Sequence, residues 1–420
     1  MNDSVDLTGT SWPQLAAGIE LPFPDWVRIP ELHELPLTVP RRPAVADVEQ
    51  ASYDQVRARY AAAVTSGMTV AVGAGSRGLT GRVELLRGTV RALRDLGTKP
   101  FVVPAMGSHG GATADGQVAM LASLGMTEEV LDCEIRSTME TVVVARTAAG
   151  MPVHLDANAA AADRFLPVNR VKPHTCFKGP IESGLTKMAV VGFGKQPGAA
   201  LIHACGPVEM RDRLLDAGTA LRETGRLLGG LASIEAPTGE VVYVEALGPE
   251  DLATITGREH QLTDDARALV PTLPFDEIDV LVVERGGKDI SGTTIDPNVT
   301  GRFWVTGLED FPRPLIHSIV LLGLTDVSAG NALGIGFADF IPASLANRLD
   351  FRKTYINCFT AGAAGLRRSR LPMVLPDGDA CLKAALAMCG RGPDLPPRVV
   401  RIESTLHLTR CWVSDALLPR

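Results

Sequence analysis

Two apolar, β-branched runs, Met68-Thr-Val-Ala-Val72 and Phe101-Val-Val-Pro-Ala105, each end in a glycine-rich loop, and each loop opens into a stretch of helical character. The loops are Gly73-Ala-Gly-Ser-Arg-Gly78 and Met106-Gly-Ser-His-Gly-Gly111. After the first, Val83, Leu86, Val90 and Leu93 recur at three- and four-residue steps between Arg82 and Leu96, the spacing of a helix with one buried face. After the second, Thr113 stands where a helix N-cap belongs. Strand, loop and helix repeated in this order predict a parallel sheet with helical crossovers. Loops that leave the C-terminal ends of such strands face one crevice, which brings Arg77 and His109 near each other. A third step, Phe165 to Val171, runs into Lys172-Pro-His-Thr-Cys-Phe-Lys178 and Gly179-Pro-Ile-Glu-Ser-Gly-Leu-Thr-Lys187, adding His174 and Lys187 to that edge.

Around this centre the first 60 residues, with Pro22, Pro24, Pro30, Pro36, Pro40 and Pro43, read as an irregular lead-in. A helix from about Val208 to Leu228 and a strand near Val241 to Val244 close the first region, and a polar stretch, Gly257 to Asp265, follows. Ile278-Asp-Val-Leu-Val-Val-Glu284 then starts a second unit with its own glycine loop, Gly286-Gly-Lys-Asp289, a strand near Ile319 to Leu322 and a helix over Asp377 to Met388. The chain of 420 residues is long enough for two domains. The expected organisation is α/β in two domains with parallel or mixed sheets flanked by helices. Residues 1–275 carry the reactive loops, 276–420 close over them, and the active site lies in the interdomain cleft.

Composition narrows the function. With 48 acidic against 41 basic side chains the net charge is −7, which argues against nucleic-acid binding. Seven scattered cysteines without a CxxC pair fit a reducing cytoplasm. No leader-like N-terminal pattern and no membrane-length apolar run is visible, so the expected partner is a small molecule.

The loops do not spell a dinucleotide fingerprint or a GxxxxGK[ST] cradle. Ser76 and Arg77 suit either an anion contact or an ordinary tight turn. His109 and His174, each on a loop after a strand, are candidate acid/base groups or hydrogen-bonded structural residues. Lys187, between a glycine-containing loop and the apolar Met188-Ala-Val-Val-Gly192, is a candidate nucleophile or a surface lysine. His203, on a short helix expected after Gly198, is a candidate metal ligand.

Taken together, the Arg77 loop, Gly107-Ser-His-Gly-Gly-Ala-Thr113, Pro173-His174, Ser183-Gly-Leu-Thr-Lys187 and His203 resemble the nickel-dependent lactate racemase family. The likeness covers residues 65 to 210 well and the second unit more loosely. It implies a nickel-pincer nucleotide joined to Lys187, with His203 as the nickel ligand and Ser76, Arg77, Gly107 and Ser108 around the cofactor. His109 and His174 are by the same likeness the catalytic pair, and Arg77 and Lys288 the substrate contacts. The implied activity is a 2-hydroxy acid racemase or epimerase working by hydride transfer. Two departures concern the substrate end. Ala74 stands where the family has an aspartate, and the family's second-domain substrate cluster is not recognisable in Lys288-Asp-Ile-Ser-Gly-Thr-Thr-Ile-Asp-Pro-Asn298. A 2-hydroxy acid other than lactate is therefore expected. The alternatives are a zinc-assisted hydrolase built on His109, His174 and His203, and a non-catalytic nucleotide or organic-acid binding protein of the same fold.

Overall fold

In the computed structural model, which describes Ala16 and residues 19–76 and 80–418, the chain divides into two compact units. One is Pro40–Val270; the other joins Met1–Val39 to Pro271–Arg420. Arg77 lies outside the described residues.

The first unit is built on five strands in the order Lys99–Pro104, Thr69–Ala74, Arg164–Arg170, Gly230–Glu235 and Val241–Leu247. The first four run parallel and the last antiparallel. Alternate residues of one strand enter opposite cores: Ala71 packs with Phe101, Val103 and Phe165, whereas Val70 and Val72 pack with Val102 and Leu166. Both faces are covered, so the strands are continuously apolar rather than alternating, as parallel sheets require. The helix Arg82–Asp95 covers one face with Leu85, Leu86, Val90 and Leu93. Thr113 caps Ala114–Ser123, its Oγ1 accepting from Gly116 N at 3.1 Å. A two-stranded ribbon, Thr141–Arg146 with Pro152–Asp156, is added to this framework.

Three helices differ most from the sequence reading. The long helix is Pro207–Glu223; Gly225, in the left-handed region at φ +69°, ends it before Leu228. Gly257 to Asp265 is not an open polar stretch but most of a helix, Arg258–Arg267. The helix bearing His203 is Lys195–His203 and starts three residues before Gly198.

Among the described residues the other unit holds seven strands in the order His33–Pro36, Arg410–Val413, Val399–Ile402, Glu277–Val283, Leu315–Leu321, Phe340–Pro342 and Met373–Leu375. The first pairs antiparallel with the second, so the proline-rich lead-in contributes a sheet strand. The run from Val399–Ile402 onward is parallel. Helix Gly378–Met388, capped by Asp377, packs Cys381, Ala384 and Ala385 against Val280, Val282 and Val320. The fold is α/β with mixed sheets flanked by helices. No helix among the described residues is long and apolar enough to cross a membrane.

Candidate functional site

Strand Arg164–Arg170 delivers the chain into a loop that folds back on itself, because Lys172 and Ser183 exchange backbone hydrogen bonds at 2.9 and 3.2 Å. Inside the loop, Glu182 is fully buried and its carboxylate accepts from His174 N at 2.5 Å, Gly179 N at 3.2 Å and Arg267 Nη2 at 2.7 Å. A second buried carboxylate, Glu259, accepts from Thr186 N at 2.9 Å and from the Thr186 hydroxyl. It lies so close to Gly184 that a Cβ there would stand 2.5 Å from its Oε1, which explains a glycine at this point of the Ser-Gly-Leu-Thr-Lys segment. Both Glu259 and Arg267 come from the Arg258–Arg267 helix, which therefore clamps the loop.

The clamped loop presents His174 to Lys187, with Nζ and Nε2 2.5 Å apart. Cys176 N donates to His174 Nδ1 at 3.0 Å, so Nδ1 supplies a lone pair and the proton of the neutral ring belongs on Nε2. The contact sets the Lys187 amine directly against the imidazole Nε2. Lys187 closes the short helix Leu185–Lys187, and the next turn, Met188–Gly192, is a π-helix in which Phe193 N reaches Met188 O at 2.9 Å. Such turns cluster at functional positions.

His203 ends the helix that follows. Its Nδ1 faces the Ala199 carbonyl at 2.7 Å; a carbonyl only accepts, so the proton sits on Nδ1 and Nε2 offers a lone pair. Burial, and to a lesser degree the neighbouring Lys187 amine when charged, push this imidazole down to about 4. Burial is the larger cause, so the ring is neutral at pH 7 whichever form Lys187 takes. Unfolded, the ring takes a proton below about 6.5; folded, only below about 4. Between these values the unfolded chain binds more protons, so stability falls as the pH drops. For this group the loss from about pH 7 to about pH 5 is about 2 kcal/mol. His203→Gln is expected to abolish that part of the acid slope in urea melts, and identical slopes in the two proteins would contradict the assignment.

His109 is exposed on the loop after Lys99–Pro104, its Nδ1 2.5 Å from Ser76 Oγ. Gly107 N is committed to Gly192 O at 3.0 Å, and Gly107, at φ +62°, leaves only 3.3 Å between a notional Cβ and Val191 O. A Cβ on Gly75 would lie 3.7 Å from Met188 Cε. The two glycine loops thus border the same π-helical turn that follows Lys187. Ser108, between Gly107 and His109, is half-buried. Lys288 belongs to the other unit, where its Nζ donates to Gly292 O at 2.7 Å and Asn357 Oδ1 at 2.6 Å.

Among the described residues, Glu277, Asp279 and His317 also gather closely enough to suggest a metal site. Arg398 fills it instead, donating to Glu277 at 2.5 Å and Asp279 at 2.6 Å and holding the Glu277 carboxyl down at about 2, with His317 the next cause. None of the seven cysteines forms a disulfide.

No family model matches the sequence, and no curated protein matches it. Among solved structures the chain is similar to the lactate racemase apoprotein from Thermoanaerobacterium thermosaccharolyticum. The identity is 11% and the TM-score 0.48, over 85% of this chain and 91% of that chain.

Proposed function

We propose that the protein is an isomerase, a racemase or epimerase that inverts the hydroxyl-bearing carbon of a 2-hydroxy acid with a nickel-pincer nucleotide. The observation that carries this reading is the His174–Lys187 contact beside His203. An amine held against the His174 ring adjoins the neutral His203 imidazole, whose Nε2 is unprotonated, on the segments whose sequence resembles the lactate racemases. This donor set fits the group. Lys187 would hold it through the amine, His203 would ligate its nickel through Nε2, and Ser76, Arg77, Gly107 and Ser108 would border it, Gly107 through its surface rather than its committed N–H. When bound, the group supplies a metal and a ring able to take up hydride and give it back.

The chain's own part is proton management. The two enantiomers present their hydroxyl protons from different directions, which calls for two bases. His174 and His109 fill these roles. The Ser76 hydroxyl meets the His109 ring at Nδ1. In the base role the His174 ring proton sits on Nδ1 once the Cys176 N–H contact opens, and attachment of Lys187 removes its amine from Nε2, so that Nε2 has a lone pair for the substrate hydroxyl. Arg77 is proposed to hold the carboxylate. Ala74 and the altered Lys288 segment favour a substrate other than lactate. A zinc hydrolase is less well served, because both ring nitrogens of His174 are already engaged.

The test uses cofactor-loaded enzyme and a panel of 2-hydroxy and sugar acids deuterated at the carbinol carbon, in ordinary water. Hydride transfer keeps the deuterium in the inverted product. Complete washout to solvent would overturn the mechanism, and lactate as the best substrate would overturn the specificity.

A further inference from the structure

Lys195 is fully buried and non-glycine, yet its backbone is left-handed at φ +52°, a conformation retained only where the surroundings hold it. Its ammonium is surrounded by three acceptors: Pro104 O at 2.5 Å, Gln117 Oε1 at 2.8 Å and Asp156 Oδ2 at 3.1 Å. Two hydrogen bonds and an ion pair describe a charged lysine, although burial pulls Lys195 down and Asp156 up against their mutual attraction. Asp156 is itself anchored, accepting from Ala159 N at 3.0 Å and donating its own N–H to Phe193 O at 2.7 Å.

Gln117 passes the anchor on. Also fully buried, it accepts from Lys195 with its oxygen and donates with Nε2 to Gly107 O at 2.9 Å and His109 O at 3.3 Å. Lys195 starts the helix that ends at His203. One buried cation therefore ties together the strand end at Pro104, the carbonyls of the His109 loop, and the helix carrying the proposed nickel ligand.

We infer that Lys195, acting through Gln117, is a positioning residue that fixes His109 relative to His203. Its catalytic consequence rests on the proposed acid/base role of His109. Gln117→Glu separates this from simple packing, because it keeps an oxygen for the Lys195 ammonium and the same side-chain length while deleting the donor to Gly107 and His109. In the cofactor-free variant, amide exchange over residues 107–112 is expected to speed up about tenfold. The ¹⁵N signature of His109 should shift as its contact with Ser76 loosens, with His174 and His203 signals unchanged. In the loaded variant, kcat in both directions should fall about tenfold with KM and the Lys187 adduct retained. Gln117→Met, lacking donor and acceptor alike, should reproduce the His109 change if the new carboxylate disturbs Lys195. Unchanged His109 signals and exchange in both folded variants overturn the positioning role. A displaced His109 with wild-type turnover instead leaves the positioning intact and removes His109 from the acid/base reading.

Discussion

Lys187→Arg is expected to leave the fold intact and to lower the inversion rate at least about a thousandfold, with no mass adduct on the chain. Arginine keeps a side chain of similar length but is never deprotonated in proteins. It cannot supply an amine for covalent attachment. The contact at 2.5 Å becomes a meeting of donors, and His174 must turn away from position 187. Intact mass and initial rates from both enantiomers are the measurements. An adduct on the variant, or a rate within tenfold of wild type, would remove Lys187 from the account.

The largest stability effect is expected from Glu182→Ala, a loss of about 3 kcal/mol in urea melts. The buried carboxylate satisfies His174 N, Gly179 N and Arg267 at once. Arg267 is a third exposed, so water screens its charge and most of the loss comes from the stranded N–H groups. Glu182→Gln, which retains one acceptor, should fall between. A change under about 0.5 kcal/mol would mean the loop is held chiefly by the Glu259 clamp.

The parallel strands and the Arg82–Asp95 and Ala114–Ser123 helices were legible because short β-branched runs, glycine loops and a threonine cap agree in one direction. The Arg258–Arg267 helix was not. Its buried stripe is Glu259, Leu262, Thr263 and Ala266, and two polar members of four conceal the helical period. The start of the His203 helix was hidden by Pro197, which breaks helix interiors but is tolerated in a first turn. In the site, His109, His174 and Lys187 could be proposed because each follows a strand on a glycine-bearing loop. Glu182, Glu259, Asp156, Lys195 and Gln117 could not. A charged or amide side chain in sequence reads as solvated, and only tertiary contact over separations such as the 78 residues between Gln117 and Lys195 reveals its partner.

The central claim, that Lys187 is the point of attachment for a nickel-bearing nucleotide, is tested most directly by peptide mapping with metal analysis. The protein should be produced together with the enzymes that make the cofactor and assayed for turnover before digestion. The account predicts nickel in the active protein and an adduct on the peptide containing Lys187. Nickel-loaded, active protein with that peptide unmodified would contradict it.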